Sequence, residues 1–215
     1  MARLHLVRHG ETTSNVMRIL DTALPGASLT DFGARQGVRF GLENPDGKPA
    51  VLVHSAANRA RQTAEMIASV WEADAREVSG VHEVQVGDLE GLSDKESHEK
   101  FHDVVTRWHH GELDARIPGG ESLEMLHERY LPVVDELTTK YVTGEGRDVY
   151  LVSHGAAIRL IAAHLSGIDS EFALKNYLPN TGSVVLEPGD TGWTVARWGV
   201  ADLADGDGSP ADPMG

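Results

Sequence analysis

The chain has no cysteine among its 215 residues. That excludes a disulfide framework, thiol catalysis and zinc–thiolate sites. No apolar run approaches the ~20 residues of a membrane-spanning helix. The apolar stretch at 4–7 is too short for the core of a secretion signal. These absences place the protein in the cytoplasm and make a membrane a poor partner. Basic residues are scarce: 19 Lys and Arg stand against 33 Asp and Glu, a formal charge of −14. A field of that sign repels polyanions, so nucleic acid is also excluded. A small anionic ligand remains admissible wherever the site itself is locally positive. Eleven histidines are the first sign of chemistry.

At roughly 150 residues per domain the length allows one large domain, and no Ser/Gly/Pro linker divides it. Residues 1–198 read as that domain. From Gly199 the chain turns to Asp, Gly, Pro and Ala, which reads as a disordered acidic tail over 199–215. No repeat of fixed period is present. Apolar runs at 4–7, 51–53 and 149–152 read as buried strands. Helical patterns follow at 12–20, 30–42, 57–71, 94–110, 122–141 and 156–165, with Pro132 a kink site. A short strand is expected at 77–81, and a closing antiparallel pair at 183–186 and 193–197. Strands alternating with helices predict an α/β fold, a three-layer α/β/α sandwich around a mostly parallel sheet.

Three of these strands end in residues suited to a phosphate. The first runs into Arg8-His9-Gly10 and that at 149–152 into Ser153-His154-Gly155. The strand at 51–53 runs into His54-Ser55, with Arg59 in the next helix's first turn. Ligands of open α/β sheets bind beyond the carboxyl ends of the strands, so Arg8, His9, Arg59 and His154 are expected at one rim. The helix amino termini that follow favour an anion, and the glycines after each histidine permit close approach of a ligand. Two guanidiniums and two imidazoles in so acidic a protein fit a tetrahedral dianion, which arginine binds bidentately.

Leu6-Val7-Arg8-His9-Gly10-Glu11-Thr12-Thr13-Ser14-Asn15 resembles the signature of the histidine phosphatase superfamily, the phosphoglycerate-mutase-like proteins. Five further blocks occur in that family's order: 29–36, 58–64, 83–91, 118–122 and 152–155. The resemblance implies a phosphoglycerate-mutase-like fold and a metal-independent phosphomonoester hydrolase, without cofactor, acting on a small phosphorylated metabolite as a monomer or homodimer. His9 is then the nucleophile, forming a phosphohistidine, with its other ring nitrogen fixed by a backbone carbonyl. Arg8, Asn15, Arg59, His154 and Gly155 bind the phosphoryl group, and Glu83 is the general acid and base.

Blander readings stand beside these. Either histidine alone reads as a strand-end residue, Glu83 as a surface carboxylate and Asn15 as a turn cap. Arg61 reads as solvated, and His5 and His54 as structural. His98-Glu99-Lys100-Phe101-His102 matches the zinc-protease pattern H-E-x-x-H, with Glu121 or Glu124 as a further ligand. Phe101, Val104, Val105 and Trp108 beside it suit an amphipathic helix with histidines flanking its buried stripe. A phosphoglycerate-type mutase is the alternative activity. Its relatives carry Arg and Tyr after the acid and a basic closing segment, whereas Val84, Gln85 and Val86 follow Glu83 here. A non-catalytic phospholigand-binding protein is the third class. Leu20-Asp21 departs from the Gln-Gly common in the family.

Overall fold

A computed structural model of the chain describes residues 1–45, 50–190, 192–199 and 201–202. Strands β1 (Leu4–Arg8), β2 (Val51–His54), β3 (Ala75–Glu77), β4 (Val149–Ser153), β5 (Ser183–Gly189), β6 (Gly192–Gly199) and β7 (Ala201–Asp202) form one sheet. Its order is β3-β2-β4-β1-β5-β6-β7. β3, β2, β4 and β1 pair in parallel, and β5 to β7 extend the sheet antiparallel. β1, β2 and β4 are largely apolar and buried because both faces are covered, whereas β3 is a short, mostly exposed edge strand.

Alternate strand residues feed two cores. Val7, Leu52, Tyr150 and Val152 face Phe40 of α2 (Asp31–Glu43) and Ala60, Ala64, Ile67 and Trp71 of α3 (Asn58–Trp71). Gly37 and Gly41 let α2 press on α3, since a Cβ at either would lie within 3 Å of the Met66 or Val70 Cβ. Leu4, Leu6, Val53, Val149 and Leu151 face the other way. There they meet a core built from α4 (Lys95–His109), α5 (Leu123–Leu137) and α6 (Gly155–Ser166), giving the three expected layers. Thr30, Asp94 and Ser122 cap α2, α4 and α5 through their side chains.

Two expectations are corrected, the extent of the first helix and the position of the short strand. The helix at 12–20 is reduced to α1 (Thr13–Val16). Arg18 takes a left-handed φ of 54°, and Leu20 is drawn away by backbone bonds to Leu92 and Gly91. The strand expected at 77–81 lies at Ala75–Glu77 instead. After it Gly80 turns at φ 88°, and the chain buries Val81, Val84 and Val86 as an extended loop. α5 runs through Pro132 and passes into a π-helical stretch, Thr138–Glu145. Gly199 closes β6, and Ala201–Asp202 pairs with that strand. The rest of the expected tail, 203–215, lies outside the described residues. A short α7 (Ser170–Lys175) was not anticipated. No helix among the described residues is long and apolar enough to cross a membrane.

Candidate active site

The carboxyl ends of β1, β4 and β2 meet at one rim, because β1 and β2 both pair with β4 in register. Arg8 and His54 close their strands, and His9 and His154 follow theirs. Just beyond, a small, partly open cavity is lined by Arg8, His9, Thr12, Ser14, Asn15, Ile19, Asp21, Arg59 and Glu83.

Hydrogen bonds determine the state of both imidazoles. His9 Nδ1 lies 2.7 Å from the Gly10 carbonyl, which can only accept, so Nδ1 carries the proton. Arg59 Nε–H points to His9 Nε2 at 3.1 Å and to His154 Nδ1 at 3.2 Å. Arginine only donates, so both of those nitrogens present lone pairs. His154 is therefore protonated at Nε2 and donates to Ser55 Oγ at 2.9 Å. Both rings are neutral, and His9 offers Nε2 to the cavity side.

Burial first, then the charges of Arg59 and Arg8, hold the His9 pKa well below the ordinary 6.5. Burial and then Arg59 do the same for His154. Burial also lowers the His5 pKa to about 4, outweighing its bond to Asp148. These shifts have a consequence for stability. Below pH 6.5 the unfolded chain takes up protons at His5, His9 and His154 that the folded chain refuses. Above pH 6.5 neither state is charged and nothing is gained or lost. Stability is thus expected to fall as pH drops through 6.5, by up to about 1.4 kcal/mol per pH unit for each buried histidine. For His5 the loss levels off near pH 4. Urea midpoints measured from pH 8 to 5.5 check this, and a flat profile contradicts it.

The other predicted residues fall into three groups. Arg8 is buried and donates to the Leu178 carbonyl at 2.7 Å while lining the cavity. Asn15 forms a reciprocal capping box with Thr12 and accepts from Asn180, so its oxygen is occupied and its amide nitrogen is left for a ligand. It is therefore a turn cap and a cavity residue together. His154 and Gly155 do not line the cavity: His154 is fully buried beside Arg59, and Gly155 opens α6. His54 bonds its own neighbour's carbonyl, and Arg61 pairs with Glu65 on the surface.

Glu83 is buried at the amino terminus of α6, a helix without a side-chain cap of its own. Its Oε1 accepts from the Val84 and Ala157 amides, both at 2.9 Å, and its Oε2 from Ala156 at 3.1 Å. Oε1 has both lone pairs engaged, and Oε2 keeps one for proton transfer. Glu90 is committed elsewhere, accepting from Thr22 N, Thr22 Oγ and Ala23 N.

Sequence reasoning missed Thr12, Ser14 and Ile19 as lining residues, although all lie in or just after the first motif, and it marked Asp21 only as a departure from the family pattern. It also missed Arg129, which donates to the carbonyls of Gly80, His82 and Glu83 while pairing with Glu121. That pair pins the loop carrying Glu83. The H-E-x-x-H histidines bond separately, His98 to the Arg18 carbonyl and His102 to the Tyr177 hydroxyl. Among the described residues no group of three or more His, Asp or Glu side chains is arranged to hold a metal ion.

Fold and site together define an α/β protein with two arginines and an oriented imidazole lining one pocket at the carboxyl ends of its parallel strands. The family model for the histidine phosphatase superfamily (branch 1) matches residues 4–201. A metal-independent phosphoserine phosphatase from Arabidopsis thaliana is 31% identical over 90% of this chain and 79% of its own length. A probable phosphoglycerate mutase GpmB from Salmonella paratyphi C is 27% identical over 95% and 94%. Among solved structures, a mycobacterial glucosyl-3-phosphoglycerate phosphatase complexed with VO3 superposes with a TM-score of 0.79 at 24% identity. That match covers 94% of this chain and all of the other. The chain belongs to the histidine phosphatase superfamily.

Proposed function

We propose that the protein hydrolyses phosphomonoesters through a phosphohistidine formed at His9, without a metal ion. The observation that carries this reading is the His9 tautomer. Nδ1–H is tied to Gly10, so Nε2 presents a lone pair beside Arg59 in the cavity that Arg8 also lines. In the ligand-free site Arg59 Nε holds that lone pair. A phosphoryl group entering the cavity takes over the Arg59 donors and frees Nε2 to attack phosphorus. Arg59 Nη1, which is buried without a hydrogen bond, is available to it at once. Arg8, Arg59 and the Asn15 amide then hold the phosphoryl oxygens. Such preorganised donors are usually the largest catalytic contribution. His154 acts through Arg59 until that side chain moves. Gly155 contributes the start of α6, whose next two amides belong to Glu83. Glu83 Oε2 protonates the departing alkoxide, then accepts a proton from the water that attacks phosphohistidine.

Hydrolysis is favoured over the mutase reading by the segment between Gly91 and Pro118. Its bases are Lys95, Lys100, Arg107 and Arg116, against Asp94, Glu96, Glu99, Asp103, Glu112 and Asp114. Lys95, Lys100 and Arg107 are paired with Glu99, Glu96 and Glu112. Three of its four bases are thus engaged by acids of the same segment, and acids outnumber bases, which makes it a poor clamp for a second phosphate.

Rapid quenching with an aryl phosphate tests the proposal. A phosphoenzyme that is labile in acid and stable in alkali is expected, with turnover unchanged after thorough EDTA treatment. Vanadate should compete with substrate. Loss of activity in EDTA with rescue by a divalent ion overturns the metal-free mechanism.

A further inference from the structure

Asp21 is the one cavity residue whose chemistry opposes an anion without an evident part in phosphoryl transfer. Its Oδ2 lies 3.6 Å from Arg59 Nη1 and accepts the Ala27 amide at 2.9 Å. Its Oδ1 takes no hydrogen bond among the described residues. The carboxylate keeps 16% of its surface in solvent against 4% for the Arg59 side chain, so it stands nearer the mouth. The loop that carries it is docked firmly on α3, with Asn58 N bonding the Pro25 carbonyl and Asn58 Nδ2 that of Gly26. A Cβ at Gly26 would fall 2.4 Å from Arg59 Nη1 and 3.2 Å from Asp21 Oδ1. The loop backbone therefore presses both charges into place.

The charges in the cavity decide what leaving group fits. Among its described lining residues the cations are Arg8 and Arg59, and a phosphomonoester dianion neutralises both. Asp21 then remains as net negative charge at the mouth, with Glu90 close enough to act on Arg59 as well. The 92–118 segment joins this mouth through the Leu20–Leu92 backbone bond, and with six acids against four bases it brings no net positive charge. A carboxylate or second phosphate on the leaving group meets repulsion, and an ammonium group meets an acceptor.

We propose that Asp21 is a specificity-determining residue that selects phosphomonoesters of amino alcohols, whose leaving group carries a cation facing the Asp21 carboxylate. This rests on the phosphatase reading above. It differs from a loop-holding role, because a structural defect lowers all esters alike whereas charge selection separates them.

Three esters of similar size provide the test: O-phosphoethanolamine, propyl phosphate and 2-phosphoglycolate, with an aryl phosphate as control. For the wild type, kcat/KM is expected to fall in that order, with about tenfold or more between the first and last. Asp21→Asn keeps an acceptor for the Ala27 amide. It should compress that ratio by about tenfold, chiefly through KM, with the change in the aryl ester measured alongside to subtract any general effect through Arg59. Wild-type turnover that ignores or reverses the charge order overturns the proposal, as does an equal change in all esters in the variant. Those results leave the phosphatase reading standing if the aryl ester is hydrolysed. Failure to hydrolyse any of the four esters removes both.

Discussion

His9→Ala should abolish turnover, with kcat/KM for any phosphomonoester falling by at least about 10⁴-fold, the scale on which loss of a nucleophile is felt. The geometry makes this a clean substitution. Arg59 Nε also faces His154 Nδ1, so removal of the His9 ring leaves that donor with an acceptor. Arg8 retains the Leu178 carbonyl, and the backbone bond from His9 N to Ser153 O does not involve the side chain. The fold and the capacity to bind phosphate should both survive, with phosphate still raising the melting temperature. The phosphoenzyme should vanish. Activity within tenfold of the wild type, or an undiminished acid-labile phosphoenzyme, shows that the covalent step occurs elsewhere.

Glu83→Gln should harm esters unequally. An alkoxide needs a proton as it leaves, whereas a nitrophenolate departs readily as an anion. General acid catalysis contributes about 10²–10⁴-fold, so an alkyl phosphate should lose that much. Phosphorylation by the aryl ester should be much less affected. Dephosphorylation also uses Glu83, now as base, so phosphohistidine should accumulate at His9 with the aryl substrate. The structure adds a second expectation. Three backbone N–H groups converge on the carboxylate. The amide of Gln offers them one oxygen and sets an NH₂ against the remaining donor, so the start of α6 loses a cap. A loss of stability of about 1 kcal/mol should accompany the kinetic change. Glu90→Gln is the control. Glu90 holds Thr22 and Ala23, so its substitution should loosen the loop beside Asp21 and slow all esters together. If Glu90→Gln shows the leaving-group dependence and Glu83→Gln does not, Glu90 is the acid.

Much of the architecture was legible in the chain itself, for local reasons. The runs at 4–7, 51–53 and 149–152 are continuous and apolar because parallel strands are covered on both faces, and each appears where read. Thr30 and Asp94 cap their helices through their own side chains, a signal within four residues. Arg8, His9, Asn15, Arg59 and Glu83 were recoverable because strand ends and family-like blocks mark them, and they do line one cavity. Local pattern failed where partners distant in sequence decide. The helix read at 12–20 stops at Val16 because Leu20 bonds a segment some 70 residues on. No periodicity contains that bond.

The arrangement of charge within the site was decided only by tertiary structure. Composition predicts an acidic molecule and motifs predict a basic pocket, but neither places Asp21 against Arg59. That pairing depends on the loop before α2 docking on the start of α3. The protonation of His9 and His154 likewise follows from one guanidinium lying between two rings some 145 residues apart. The sequence alone determined which groups the site contains, because a strand followed by Arg-His-Gly is a local fact. Which nitrogen holds a lone pair, which carboxylate caps a helix and which guards the mouth depend on contacts between distant segments. Those contacts exist only after the sheet has closed.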